Sequence, residues 1–321
     1  LSQKQTIPVT ILTGFLGAGK TTLLNNLLKG MSEQKVAVII NEFGDTSIDS
    51  HLVVSTREEI IEINSGCICC NVRGDLINIL SILIAQEEKI DRVIIETTGM
   101  ANPAPVIQTF LMDEKTGKSF EIDSVITMVD AKHIWQHLKE EEPGKQIAFA
   151  DILLINKMDL ITANEKIKLE QQLVNMNPHA KRVYTTYANV NIQDLIGKKS
   201  FDLGNLLKID PKLLVETHHH HHNDQVTSFV FREGRPLDLE KVNRWFAYLV
   251  HFKGENLYRY KGVLHINHLE KRVVFQGVHM LFAGTEGTEW ADNEPRQSEI
   301  VFIGKHLDYQ ELAKGFQYCL A

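Results

Sequence analysis

The chain has 321 residues, 43% hydrophobic and 23% charged, with a formal net charge of -7. That composition suits a globular protein long enough for two domains. An acidic balance argues against non-specific nucleic-acid binding, which draws its affinity from neutralised phosphates, and no apolar run approaches the roughly 20 residues needed to cross a bilayer.

The opening residues, LSQKQTIPVTILTG, lack the long apolar core and small-residue cleavage site of a signal peptide, so a cytoplasmic location is expected. A strand is predicted at residues 9–13, running into a glycine loop and a helix at 21–29. Strands follow at 36–41 and 59–63, a helix at 73–86, strands at 92–96, 124–130 and 151–156, and a helix at 165–177. Short apolar runs separated by helices imply an α/β fold, here a mostly parallel sheet flanked by helices, assigned to residues 1–197. Residues 198–224 read as a linker and contain the run HHHHH at 218–222. Beyond it the pattern changes to a strand at 226–232, a helix at 237–251, strands at 257–267, 271–278 and 299–303, and a helix at 309–320. This is a smaller α+β domain over residues 225–321.

Residues 14–21 read GFLGAGKT, a full match to G-x-x-x-x-G-K-[ST], between a predicted strand and a predicted helix. Gly14, Phe15, Leu16, Gly17, Ala18 and Gly19 let backbone N–H groups curl around phosphate oxygens. The following helix, with Thr22 in its first turn, aims its positive end at the same anion. Lys20 can reach the β- and γ-phosphates, and the Thr21 hydroxyl can ligate Mg²⁺.

Residues 156–159 read NKMD at the end of another predicted strand. N-K-x-D, here Asn156, Lys157 and Asp159, is the guanine-recognition signature of P-loop GTPases. The aspartate accepts from guanine N1–H and the exocyclic amine, a donor pair that adenine lacks. Asp159 also reads as a plain helix cap. Residues 185–188 lie where a second base-contacting loop can sit. Residues 94–99, IIETTG, place Glu96 at a strand end with Gly99 three residues on, like the D-x-x-G switch with glutamate for aspartate. Glu96 would hold Mg²⁺ through water or order the attacking water, and the Gly99 N–H would read the γ-phosphate. Glu96 also reads as a charged strand end facing solvent. Met100 follows, where many GTPases carry a water-orienting glutamine, so slow intrinsic turnover is expected unless metal, a partner or a homodimer completes the site.

Residues 64–70 read NSGCICC. In a reducing compartment such clusters bind metal or do redox chemistry. Cys67, Cys69 and Cys70 can reach one thiophilic ion, Zn²⁺ above all, with Co²⁺ or Ni²⁺ as alternatives. Three local thiolates leave the site open, with water, histidine, Glu42 or Asp45 available as the fourth ligand. Buried packing cysteines and a redox pair are the competing readings. The histidine run can collect metal weakly, or be a solvated loop or a tag.

GFLGAGKT, NEFGD at 41–45, GCICC, ETTG and NKMD in this order resemble the CobW-type P-loop GTPases, most of all the YjiA branch. The resemblance continues through LYRYKGVL at 257–264, VVFQGVH at 273–279 and VFIGKHLD at 301–308. It implies that Cys67, Cys69 and Cys70 bind metal, that residues 14–22 with Asn156, Lys157 and Asp159 bind GTP and GDP, and that hydrolysis is coupled to metal delivery into a client metalloprotein. One position departs: Ile40 stands where related sequences often carry glutamate, and Asp45 where a longer glutamate can occur. The alternative is a metal-sensing GTP switch that recruits a partner without delivering metal. A third reading is a small-molecule phosphotransferase with structural cysteines.

Overall fold

The computed structural model describes residues 6–42, 59–64, 72–85, 90–99, 101–201, 226–291 and 294–321. These form two compact units. The first comprises the residues up to Glu170 together with Ala180–Phe201, and the second comprises Gln171–His179 and the residues from 226 onward.

The first part of the chain runs β1 (Ile7–Gly14), α1 (Lys20–Gly30), β2 (Val36–Glu42), β3 (Glu59–Asn64), α2 (Val72–Ala85), β4 (Arg92–Thr97), α3 (Ala104–Met112), α4 (Glu114–Ser119), β5 (Phe120–Asp130), α5 (Ile134–His137), α6 (Glu141–Phe149), β6 (Ile152–Asn156), α7 (Ala163–Met176) and β7 (Lys181–Tyr184). The strands make one seven-stranded sheet in the order β3-β2-β4-β1-β5-β6-β7, every pairing parallel. Parallel strands covered on both faces are apolar along their whole length, and β4 and β6 are buried throughout. Leu23, Leu24, Leu27 and Leu28 recur at helical spacing on α1 and pack with Leu12, Val38, Ile94, Ile126 and Leu154 of the sheet. Each such leucine contributes about 1.5–3 kcal/mol of burial.

Two boundaries differ from expectation for local reasons, and α3, α4, α5, α6 and β7 have no counterpart among the expected elements. β5 begins at Phe120 rather than 124, because Asp123, which reads as a strand stop, is buried and paired with Arg92 at 2.8 Å. α7 begins at Ala163 rather than 165. The Thr162 N–H donates to the Glu165 carboxylate at 2.7 Å, and the Glu165 N–H donates to the Thr162 hydroxyl at 3.3 Å, a reciprocal cap. The segment EEPGKQIAF of α6 carries Pro-Gly and still forms a helix. Pro143 falls in the first turn, where its missing N–H costs nothing, and Glu141 and Glu142 complement the helix dipole there.

The second unit contains β8 (Thr227–Glu233), α8 (Leu239–Lys253), β9 (Leu257–Leu264), β10 (Lys271–Val278), β11 (Leu281–Glu289), β12 (Ser298–Gly304) and α9 (Tyr309–Tyr318). Its sheet is antiparallel, in the order β11-β10-β9-β12-β8. Phe246, Trp245 and Leu249 of α8 and Leu312 and Phe316 of α9 share one core with Tyr260, Phe275 and Phe302 of the sheet. Asp238 and Asp308 cap the two helices with their carboxylates. β11 escaped the sequence reading because LFAGTEGTE carries two glycines and lies at an edge. No helix among the described residues is long and apolar enough to cross a membrane.

Candidate nucleotide-binding site

In a parallel sheet all strands end on one side, and ligands gather there. β1 lies between β4 and β5, so its carboxyl end meets those of both neighbours. β1 ends at Gly14, β4 at Thr97, β5 at Asp130 and β6 at Asn156. Three motifs far apart in sequence thus arrive at one edge.

The loop from Gly14 to Lys20 opens α1 through Gly19, which has φ 107°. A Cβ on Gly19 would lie 2.7 Å from the Asn156 side-chain nitrogen, so the backbone conformation and the close approach both demand glycine. α1 has no side-chain cap and no acid in its first turn. Its first N–H groups and its dipole therefore suit an anion. Lys20 is buried, and its Nζ donates to the carbonyl of Gly14 at 2.9 Å and to that of Phe15 at 3.4 Å, across the mouth of the loop. The Phe15 ring packs on His137, with centroids 3.8 Å apart, while Leu16 is exposed. Thr21 is half-buried and Thr22 exposed. Ala18 is fully buried, and Gly17 completes the loop.

Asn156 is the joint of the site. Its Nδ2 donates to the carbonyl of Ala18 at 2.9 Å, and its Oδ1 accepts from the Ala188 N–H at 3.0 Å. One buried side chain therefore ties the glycine loop to the segment after β7. That segment is held further by Asn26 of α1, whose Nδ2 donates to the Ala188 carbonyl at 2.9 Å, and by the Met158 N–H, which donates to the Thr185 carbonyl at 3.2 Å. Lys157 takes a left-handed backbone, φ 62°, and leads into a short turn over Met158–Leu160 that leaves Asp159 exposed. The residues at 185–188, only suggestive as sequence, are brought directly beside the N-K-x-D motif.

Sequence reasoning missed Asp130. Its Oδ2 accepts from Lys157 Nζ at 2.7 Å and lies 3.0 Å from His133 Nδ1. Its Oδ1 accepts from the backbone N–H groups of Lys132 and His133. Burial alone would raise this carboxyl, but the hydrogen bonds from Lys157 and His133 and the lysine charge outweigh it and hold it below the usual carboxylate range. The available signal was an acid closing an otherwise apolar strand, VITMVD.

Glu96 is buried on β4, in register with Leu12 of β1 and Ile40 of β2. The solvent-facing reading of Glu96 is therefore wrong. Its neighbour Thr97 donates its hydroxyl to that of Thr13 at 2.8 Å. Gly99 abuts the glycine loop, and a Cβ there would meet the Leu16 backbone nitrogen at 2.6 Å. Glu42 closes β2 in register with Asn64, the last residue of β3. Asp45, Cys67, Cys69, Cys70, Met100 and the histidine run at 218–222 lie outside the described residues. Among the described residues no group of three or more His, Cys, Asp or Glu side chains is placed to hold a metal.

Residues 8–184 match the family model for the CobW/HypB/UreG nucleotide-binding domain, and residues 226–320 match that for the cobalamin synthesis protein CobW C-terminal domain. The chain belongs to the CobW family. It is 35% identical over 316 residues to the zinc chaperone YjiA of Escherichia coli, covering 97% of this chain and 98% of that one. It is 30% identical over 356 residues to the zinc chaperone CobW of Pseudomonas aeruginosa, covering 98% and 92%. The crystal structure of Zn(II)-bound YjiA GTPase from E. coli aligns with a TM-score of 0.78 at 30% identity, covering 99% of this chain and all of that one. The fold expectation of a helix-flanked, mostly parallel sheet followed by a smaller α+β domain is borne out in both matches.

Proposed function

We propose that this protein binds GTP, hydrolyses it slowly to GDP and phosphate, and couples the cycle to delivery of a transition metal, zinc first, into client metalloproteins. The observation that carries the nucleotide half is the pair of hydrogen bonds made by the Asn156 side chain, one donated to Ala18 and one accepted from Ala188, which joins glycine loop, N-K-x-D motif and the 185–188 segment. The residues fit the group they would hold. An uncapped helix start beside a buried lysine suits the phosphates, and Asp159 stands exposed where a base edge can reach it. The Thr21 hydroxyl and the Glu96 carboxylate are hard oxygen donors of the kind Mg²⁺ takes, directly or through water. That ion would neutralise charge on the phosphates. Lys20 would swing from the Gly14 carbonyl to the phosphates, and the Gly99 N–H would read the third one.

The metal half is supported by the zinc chaperones among the relatives and by the cysteine spacing. Zinc is cargo here, held by Cys67, Cys69 and Cys70, with Glu42 or Asp45 as further ligand. β2 and β3 end side by side, with Glu42 in register with Asn64, at the same carboxyl end of the sheet as the nucleotide motifs. Such placement lets nucleotide state open or close the metal site. A cytoplasmic location, a histidine-containing linker at 198–224 between domains 1–197 and 225–321, and completion of the slow site by a homodimer or partner belong to the same reading.

The deciding experiment is zinc titration of the wild type and of a Cys67→Ser, Cys69→Ser, Cys70→Ser variant, each with GTP and with GDP. Tight zinc binding that depends on the nucleotide and vanishes in the variant is expected. Equal affinity in both proteins overturns the cysteine site, and equal affinity with both nucleotides overturns the coupling. GTP and ATP binding with equal affinity would overturn the base assignment. Zinc-loaded protein with GTP should activate an apo client faster than buffered zinc at equal activity; failure there favours the metal-sensing switch.

A further inference from the structure

Gln146 lies on α6 and is almost completely buried. Its Nε2 donates to the carbonyl of Gly99 at 3.2 Å and to that of Ala101 at 3.1 Å. Two carbonyl acceptors require the NH₂ end of the amide, so both of its protons are committed to the backbone flanking residue 100. The anchor at the other end is equally firm. The backbone carbonyl of Gln146 accepts from the Thr127 hydroxyl at 2.7 Å. Thr127 stands in register with Thr13 of β1, one residue before the glycine loop, and Thr13 accepts in turn from Thr97 of β4. Gln146 therefore braces the turn after β4 from a mount fixed to β5, the strand paired with the one that carries the glycine loop.

The position in which it holds that turn is informative. Gly99 is pressed on the Leu16 backbone so closely that no Cβ fits between them, and the Ala101 N–H closes the turn on the Thr98 carbonyl at 3.1 Å. The turn is thus kept against the loop that would carry the phosphates. An unbraced turn would have to be ordered when nucleotide binds, at a cost in affinity paid only by the ligand that needs it. GDP has no third phosphate for the Gly99 N–H to contact.

We infer that Gln146 is a positioning residue for nucleotide discrimination: it pre-sets the Gly99 turn against the glycine loop so that the third phosphate of GTP is read. This rests on the GTP reading above and deepens it. Gln146 touches no substrate atom and acts through Gly99.

The test measures affinity for a fluorescent non-hydrolysable GTP analogue and for fluorescent GDP, with single-turnover GTP hydrolysis, in wild type, Gln146→Leu and Gln146→Glu. Loss of two buried hydrogen bonds to the turn should weaken the GTP analogue roughly tenfold and slow the single turnover, with GDP affinity changed less than about twofold. Gln146→Glu keeps the side chain's volume and the Thr127 anchor while setting carboxylate oxygens against two carbonyls. It should show the same asymmetry, and it keeps the test open if Gln146→Leu does not fold. Equal weakening of both nucleotides makes Gln146 a packing residue and overturns the inference, as does an unchanged GTP-to-GDP ratio in a folded variant. If the wild type binds neither nucleotide, the GTP reading itself falls and this inference with it.

Discussion

The ammonium of Lys157 lies 2.7 Å from the buried carboxylate of Asp130. The two residues come from the ends of neighbouring parallel strands, with Asp130 in register with Asn156. A lysine on a four-carbon stem is mobile unless something holds it. Here Asp130 does, and Asp130 is itself fixed by two backbone N–H groups and the His133 ring.

If Lys157 flanks the base, Asp130 sets its position, and the two act as one unit. Asp130→Asn should weaken GTP and GDP alike, by about tenfold, the scale of one charge-assisted hydrogen bond. Lys157→Ala should do the same. In the double variant the second change should add almost nothing, because coupled neighbours are not additive. Calorimetric titration of all four proteins checks this. Additive losses would show that Asp130 does not act through Lys157.

Gly19→Ala should hurt both nucleotides. Alanine at φ 107° is strained by about 1–2 kcal/mol, and its Cβ would collide with the Asn156 amide that ties Ala18 to Ala188. We expect a loss of at least about tenfold for GTP and GDP together. Intact GDP binding would show that the cradle does not depend on this joint.

The legible part of the site was the part written in consecutive residues. GFLGAGKT and NKMD announce themselves because backbone shape and base chemistry restrict residue types locally. Gln146 and Asp130 were not legible, since each matters through a partner at least 27 positions away. A buried glutamine in QIAFADILL looks like an ordinary helix residue until its acceptors are known. The fold divides in the same way. Apolar β4 and β6 were plain. β5 was shortened because Asp123 looks like a terminus until Arg92 is placed beside it, and β11 was lost because an exposed edge strand needs no apolar alternation.

The Arg92–Asp123 pair carries its own prediction. Asp123 Oδ2 accepts from Arg92 at 2.8 Å and from the Gly197 N–H at 2.6 Å, and its Oδ1 accepts from the Lys199 N–H at 2.7 Å. Both side chains are nearly inaccessible. Asp123→Ala strands a buried guanidinium and two backbone donors, and should cost about 3–5 kcal/mol. Urea unfolding measures this. A loss below about 1 kcal/mol would place the pair among surface-like ion pairs.

Stability of the second unit should depend on one histidine. His179 Nε2 is buried and has no hydrogen-bond partner among the described residues. Burial, then the charges of Lys261, Arg259 and Arg232, oppose the imidazolium and push its pKa down to about 3. In the unfolded chain the value returns to about 6.5. The folded state therefore holds the neutral ring while the unfolded state takes up a proton. The stabilisation is complete above about pH 6.5 and is lost as pH falls from there toward 3, with a limiting slope of about 1.4 kcal/mol per pH unit. Carboxylates titrate lower, and setting wild type against variant from pH 7 to 5 cancels the chain's other histidines. His179→Gln cannot take up the proton and should flatten the urea-midpoint profile across that window. Parallel profiles for wild type and variant would show that His179 is charged in the fold or does not report on it.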